Sequence, residues 1–91
     1  MSGENERTQV APRVHRNGTS REALEAQLRE CHRTLGAAIA AMEAAAPNAR
    51  DYYVQGPGTW ERAQLEHTTR LLSVRRVQLE LATIWERISD G

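Results

Sequence analysis

Several residue types are scarce or absent in this chain. Its 91 residues include no lysine, no phenylalanine and a single cysteine, Cys31. Without lysine, the chain has neither an amine for Schiff-base chemistry nor the lysine of a phosphate-binding P-loop. One cysteine excludes an intramolecular disulfide and a cysteine-rich zinc site. These absences remove several enzyme classes, and the single cysteine is consistent with a reducing compartment.

A net charge and a long apolar run are also lacking. Twelve basic residues, all of them arginine, balance twelve acidic residues, so no overall field draws the chain to nucleic acid or to a membrane. No segment approaches transmembrane length, and the polar N-terminus has no apolar core of a signal peptide. We therefore expect an intracellular protein with no membrane contact.

The N-terminal residues 1–18 predict a flexible arm, followed by one domain at 19–91. The arm is polar, contains Pro12 and Gly18, and shows no helical or strand period. Its basic residues leave two alternatives open, a solvated tail or a recognition arm for a partner. These residues are Arg7, Arg13, His15 and Arg16.

A first helix is predicted over residues 20–46. Thr19 is the expected N-cap, with Glu22 reaching back in a capping box, and Pro47 ends the helix. Apolar residues alternate at steps of four and three, which indicates a seam against a second helix. The predicted seam is Leu24, Leu28, Cys31, Leu35, Ala38, Met42 and Ala45; the expected outer ion pairs are Arg21 with Glu25 and Glu25 with Arg29.

A second helix is predicted over residues 59–89, after a loop at 47–58 whose middle could run extended. Thr59 is its expected N-cap. Its main apolar face is predicted to pack antiparallel on the first helix, which gives an all-α fold, a hairpin of two long helices. That face comprises Trp60, Ala63, His67, Leu71, Val74, Val77, Leu81, Ile84, Trp85 and Ile88; the expected outer ion pairs are Glu66 with Arg70 and Arg76 with Glu80.

Three leucines do not belong to this face. Leu65, Leu72 and Leu79 recur at steps of seven and project from nearly the opposite side of the second helix. A hairpin buries one face of each helix, so this second stripe predicts an interface. We expect the hairpins to associate with one another into a helical-bundle oligomer; a foreign partner and the folded-back arm are the alternatives.

No set of residues with the spacing of an enzyme site is present. His15, His32 and His67 are far apart in sequence and do not form the one-turn pair of a helical metal site. His67 is expected to be a core histidine satisfied by a neighbour, and Cys31 a buried, inert thiol. We therefore predict no enzymatic activity, no metal and no cofactor.

The loop and its flanks carry the residue types that dominate binding hot spots. We assign Arg50, Tyr52, Tyr53 and Trp60 to a partner-binding cluster, joined by the exposed pair Arg75 and Arg76. The same aromatic residues can stack on nucleotide bases. For Trp60 in particular, the alternative is that the ring covers the end of the hairpin core.

The stretch NARDYYVQGPGTWERAQLEHTTRLLSVRRVQLELATIWERI, residues 48–88, resembles small uncharacterised helical-hairpin proteins encoded by phages and prophages of GC-rich bacteria. The resemblance implies a mobile-element protein, either a virion component or a small inhibitor of a host system. It implies a location in the bacterial cytoplasm or in the virion.

Three functions remain open. The first is protein–protein interaction by a self-associating hairpin whose further partner is a host or virion protein. The second is an oligomer that sequesters a nucleotide between tyrosines and arginines. The third is nucleic-acid binding through the arginine-rich arm, which the balanced charge disfavours.

Overall fold

The computed structural model describes residues 9–91, and over this range the chain is a helical hairpin. Helix α1 comprises Arg21–Ala44 and helix α2 comprises Thr59–Asp90. Two short 3-10 turns, Ala49–Asp51 and Tyr53–Gln55, connect them, and residues 9–91 contain no strand. The predicted all-α fold with two long helices is confirmed, whereas oligomer assembly and arm flexibility stay predictions.

The N-cap of α1 is Ser20, so the prediction of Thr19 was wrong by one residue. Ser20 has an extended backbone and its Oγ accepts a hydrogen bond from the Ala23 N–H at 3.1 Å. At the other end α1 stops two residues before the predicted end at Ala46. Pro47 disfavours a helical backbone in the residue before it, which ends the helix early.

The seam of α1 is rotated relative to the prediction. Cys31 and Ala38 are exposed, and the neighbouring His32 and Ile39 face α2 in their place. The face continues by steps of four, from Leu28 to His32 and from Leu35 to Ile39, in place of the predicted steps of three. This buries the large Ile39 side chain, which is 7% exposed, and brings the His32 ring edge-on to the Trp85 ring at a centroid distance of 6.1 Å. The seam residues predicted correctly are Leu24, Leu28, Leu35 and Met42. The other predicted member, Ala45, lies beyond the helix.

Helix α2 starts from a glycine and has no side-chain N-cap. Gly58, at φ +82°, is the N-cap, and Thr59, predicted for that role, is already helical. The Thr59 hydroxyl donates instead to the Gln55 carbonyl oxygen at 3.4 Å. The loop before it is not extended, because Asn48 Oδ1 accepts from the Arg50 N–H and caps the first 3-10 turn.

The face of α2 toward α1 matches the prediction with one exception. Val77 is exposed, and Gln78 occupies the face instead and donates from Nε2 to the His32 carbonyl oxygen at 3.1 Å. A helix repeats every 3.6 residues, so a step of four from Val74 keeps the face in line with Leu81. The other predicted members, all at least half-buried, are Trp60, Ala63, His67, Leu71, Val74, Leu81, Ile84, Trp85 and Ile88.

Polar contacts along the hairpin fix the antiparallel pairing of the helices. At the open end, Arg21 donates to the last carbonyl oxygens of α2, at Ile88 and Ser89. Near the loop end, Arg75 pairs with Glu43. Cationic groups at a helix C-terminus complement its dipole and unpaired carbonyls, so Arg21 both caps α2 and aligns the hairpin.

Most of the ion pairs predicted within single helices are absent from residues 9–91. Glu66 with Arg70 is present, at the long distance of 4.0 Å, but Arg76 with Glu80 is not. On α1, Arg29 lies over the Trp85 ring.

The two other α1 residues expected in ion pairs also contact α2. Arg21 reaches the C-terminus of α2, and Glu25 accepts from the Ser89 hydroxyl. The ion pair observed on α1 joins Glu30 to Arg33, and the guanidinium hydrogen bond lowers the pKa of the Glu30 carboxyl below its ordinary value. Contacts between the helices therefore replace the pairs expected within one helix.

The N-terminal segment has no helix or strand between residues 9 and 20, yet it contacts the hairpin. Ala11 and Val14 are half-buried, and Arg87 donates to the Gln9 carbonyl oxygen. Ile88, near the end of α2, is the most deeply buried residue, at 2% exposure. Part of the predicted arm therefore lies against the open end of the hairpin; Arg7, in the same predicted arm, lies outside the described residues.

Two glycines should respond in opposite ways to replacement by alanine. Gly58→Ala forces a Cβ into a left-handed backbone and should lower the free energy of unfolding by about 1 kcal/mol. Gly36→Ala lies inside α1 and its Cβ would meet only the Gln78 amide nitrogen at 3.4 Å, so it should raise that free energy by about 0.5–1 kcal/mol. Urea denaturation of both variants checks this; shifts of the same sign would contradict it.

Candidate functional site

The stripe of Leu65, Leu72 and Leu79 lies on the outer side of α2. Leu72 and the core residue Val74 are two positions apart, which at the helical repeat is about 200° around the axis. The three leucines are 67%, 59% and 69% exposed, respectively. The hairpin therefore leaves an apolar row about 21 Å long, at the standard rise per residue, on the side away from α1.

The hydroxyl groups along the stripe are bonded to their own helix. Thr69 donates to the Leu65 carbonyl oxygen at 2.9 Å, Ser73 to the Thr69 carbonyl oxygen at 3.1 Å, and Thr83 to the Leu79 carbonyl oxygen at 3.1 Å. A hydroxyl that already donates to a carbonyl can be covered without leaving an unpaired hydrogen. These polar residues therefore do not prevent the stripe from being buried.

Charged residues of both signs flank the stripe. Arg62, Arg76 and Glu80 form no ion pair among residues 9–91, and the single pair of Glu66 is its long contact with Arg70. In sequence order the signs are plus, minus, plus, minus at positions 62, 66, 76 and 80. A helix that runs in the opposite direction presents these signs in the order minus, plus, minus, plus.

The aromatic residues at the loop surround a shallow pocket of about 340 Å³. Trp60 is half-buried and its Nε1–H donates to the Pro47 carbonyl oxygen at 3.3 Å, which fixes the ring against the end of α1. Tyr52 is half-buried and Tyr53 is 77% exposed. Trp60 therefore covers the end of the hairpin core, and Tyr53 is the aromatic side chain free to contact another molecule.

The structure does not bring all of the predicted partner-binding cluster together. Arg75 and Trp60 are fifteen positions apart on one straight helix, about 22 Å, and Arg75 is held by Glu43. Arg76 is exposed beside the leucine stripe, and Arg50 is exposed in the first 3-10 turn.

The residues that line the loop pocket include the carboxylate of Glu61 and no basic side chain. A nucleotide phosphate needs cationic or N–H donors close to it. This lining disfavours the nucleotide alternative at a single hairpin.

The predictions for His67 and Cys31 had different outcomes. His67 is satisfied as predicted, because its Nε2 lies 2.8 Å from the Met42 carbonyl oxygen, to which it donates. Cys31 is exposed, so the prediction of a buried thiol was wrong. Within residues 9–91, no three histidine, cysteine or carboxylate side chains are placed to hold a metal ion together.

Neither long helix has the length and apolar composition needed to cross a membrane, in the part of the chain that the structure describes. Comparison with protein-family models, with curated proteins and with solved structures finds no significant match to this chain. The resemblance of residues 48–88 to phage and prophage proteins therefore stays a hypothesis from sequence, and function has to be argued from the surfaces themselves.

Proposed function

We propose that this chain is a non-enzymatic protein-interaction module that associates with itself through the outer face of α2. The single observation that carries the proposal is the leucine stripe, in which Leu65, Leu72 and Leu79 are each more than half exposed and lie in line. Apolar rows of this kind on a soluble helix mark contact surfaces, because each buried leucine contributes about 1.5–3 kcal/mol.

The small core of the hairpin supports the same proposal. Among residues 9–91, only Ile39 and Ile88 are buried. A chain of this size with so little enclosed apolar surface has marginal stability as a monomer, and oligomerisation is one of the few ways to add buried area. Self-association on the outer face would stabilise α2 from the side that α1 leaves uncovered.

A second protein can then bind at the loop, which lies about 10 Å along α2 from Leu65 and about 20 Å from Leu72, the middle of the stripe. Tyr53 and Val54 are both exposed there, next to the pocket that Tyr52 and Trp60 line. An exposed tyrosine beside a shallow apolar depression is a typical anchor for a protein partner. In the phage setting that the resemblance implies, this partner is a host or virion protein and the hairpin is a virion component or an inhibitor.

The test is the mass of the protein in solution over a range of concentrations. Sedimentation equilibrium from about 1 to 500 μM, where complexes of this kind dissociate, should show a monomer converting to a larger species as concentration rises. The helicity should rise with the mass if association stabilises the hairpin. A folded chain that stays monomeric over the whole range would refute self-association and leave the loop as the candidate binding surface.

A further inference from the structure

We infer that the occupant of the leucine stripe is the same face of a second copy, running antiparallel, with the two-fold axis between residues 70 and 71. This inference rests on the proposed self-association and adds its orientation and register. The observation behind it is the order of charges on one flank of the stripe, Arg62, Glu66, Arg76 and Glu80.

The stripe can be written as the core positions of a coiled coil. The Leu65, Leu72 and Leu79 positions alternate with Thr69, Arg76 and Thr83, which lie four residues after them on the same side of the helix. In the antiparallel register, Leu72 faces Thr69 of the second copy, while Leu65 and Leu79 pack on the aliphatic stems of Arg76 and Arg62 of that copy. Each leucine is covered, and the arginine head groups reach the edge of the contact.

The charges beside this contact are then complementary. Arg62 lies next to Glu80 of the second copy and Glu66 next to Arg76 of that copy, and the two-fold axis repeats both pairs. Within residues 9–91, three of these four side chains have no ion pair, and the contact of Glu66 is at the 4.0 Å limit. Association therefore gives Arg62, Arg76 and Glu80 the partners that they lack in the single hairpin, and gives Glu66 a second one.

The parallel arrangement brings like charges together at the core of the contact. In register, it brings Arg62 against Arg62 and Arg76 against Arg76 at core positions, and it places Glu61 beside Glu66 of the other copy. Like charges at such positions are destabilising, so orientation is selected by repulsion as well as by attraction.

The position of the stripe also fixes the shape of the assembly. Since the stripe lies almost opposite the α1 contact, the two copies of α2 form the centre and the two copies of α1 lie outside. The four helices then form a flat row in place of a closed bundle. The loops, with Tyr53, are directed to opposite ends of the row.

Disulfide trapping tests the orientation. In a Cys31→Ser background, which removes the exposed native thiol, one new cysteine is introduced by Thr69→Cys or by Thr83→Cys and the protein is oxidised. In the antiparallel dimer the two copies of position 69 are about 4.5 Å apart along the axis; with the spacing across the contact, their Cα atoms lie near the roughly 7 Å limit for a disulfide, so oxidation should trap them. The two copies of position 83 are about 37 Å apart and should not.

Each outcome of the trapping is decisive. Cross-linking at 69 alone, in a protein that sediments as a dimer, supports the inference. Cross-linking at both positions indicates a parallel dimer; it overturns the orientation and leaves self-association standing. A dimer that cross-links at neither position associates through another face, and a monomer that cross-links at neither overturns the proposed self-association itself.

Charge reversal supplies a second, independent readout. Arg76→Glu places the new carboxylate beside Glu66 of the other copy, and the two-fold axis repeats this repulsive pair. The substitution should weaken dimerisation about tenfold or more. The fourfold variant Arg62→Glu, Glu66→Arg, Arg76→Glu, Glu80→Arg inverts every pair and should restore the affinity to within about threefold of the original, since each pair keeps opposite signs. A single reversal without effect, or a fourfold variant no better than the single one, would refute the antiparallel register.

Discussion

Leu72→Glu should convert the associated protein into a monomer while leaving α2 helical. Leu72 is at the middle of the stripe and lies close to the two-fold axis, so the substitution places two carboxylates near each other in an apolar contact. Burying an unpaired charge and opposing a like one costs several kcal/mol, which weakens the dimer about a hundredfold or more. Glutamate and leucine have similar helix propensities, so the loss should appear in mass and not in local helix formation.

The measurement is sedimentation of the wild type and the variant at equal concentrations, with circular dichroism on the same samples. Ala37→Glu is the matched control, because it adds the same charge at an exposed position of α1, away from the stripe. It should sediment as the wild type does. A Leu72→Glu protein with wild-type mass would place the association surface elsewhere, and equal losses in both variants would indicate a general effect of charge.

The sequence was a sufficient guide to the elements of this fold because its strongest signals are local. Pro47 and the glycines around Pro57 separate two long segments that contain no proline, and this alone predicts two helices and a loop. The outer stripe was also predictable, because steps of seven keep leucines on one side of a helix whatever that helix packs against.

The rotation of α1 could not be read from sequence with the same certainty. From Leu28, a step of three leads to position 31 and a step of four to position 32, and from Leu35 the same steps lead to 38 and 39. Both choices fit a four-three repeat, and only packing against α2 decides between them. Trp85 contacts His32 and Arg29, which draws the 32 and 39 side of α1 inward. This choice depends on residues more than forty positions away, and a local pattern contains no information about it.

The candidate site was also predictable where it depends on local sequence and not where it depends on tertiary contacts. The stripe was correctly placed outside the hairpin core, whereas the cluster that joined the loop aromatics to Arg75 and Arg76 does not exist as one surface. Residue types typical of binding were grouped there by composition, but distance along a straight helix separates them. The contact of Arg75 with Glu43 is again a tertiary one, between residues 32 positions apart.

The rotation of α1 has a direct test in the neighbouring residues Ala38 and Ile39. Ile39→Asp introduces a carboxylate at one of the two buried positions of the described chain and removes a large apolar side chain, which should cost about 4 kcal/mol. A domain of this size has a free energy of unfolding of only about 5 kcal/mol at the lower end of the usual range. The variant should therefore keep only about 1 kcal/mol of stability and melt roughly 15–30 °C below the wild type.

Ala38→Asp makes the same carboxylate one position earlier, on the exposed side of α1. Its cost should be limited to the lower helix propensity of aspartate, about 0.5 kcal/mol, so it should melt within a few degrees of the wild type. Because both variants carry the same added charge on the same helix, the difference between their thermal transitions measures the rotation of α1 alone. Equal transitions would mean that neither residue is enclosed, and the reverse order would mean that α1 faces α2 through the seam of Cys31 and Ala38.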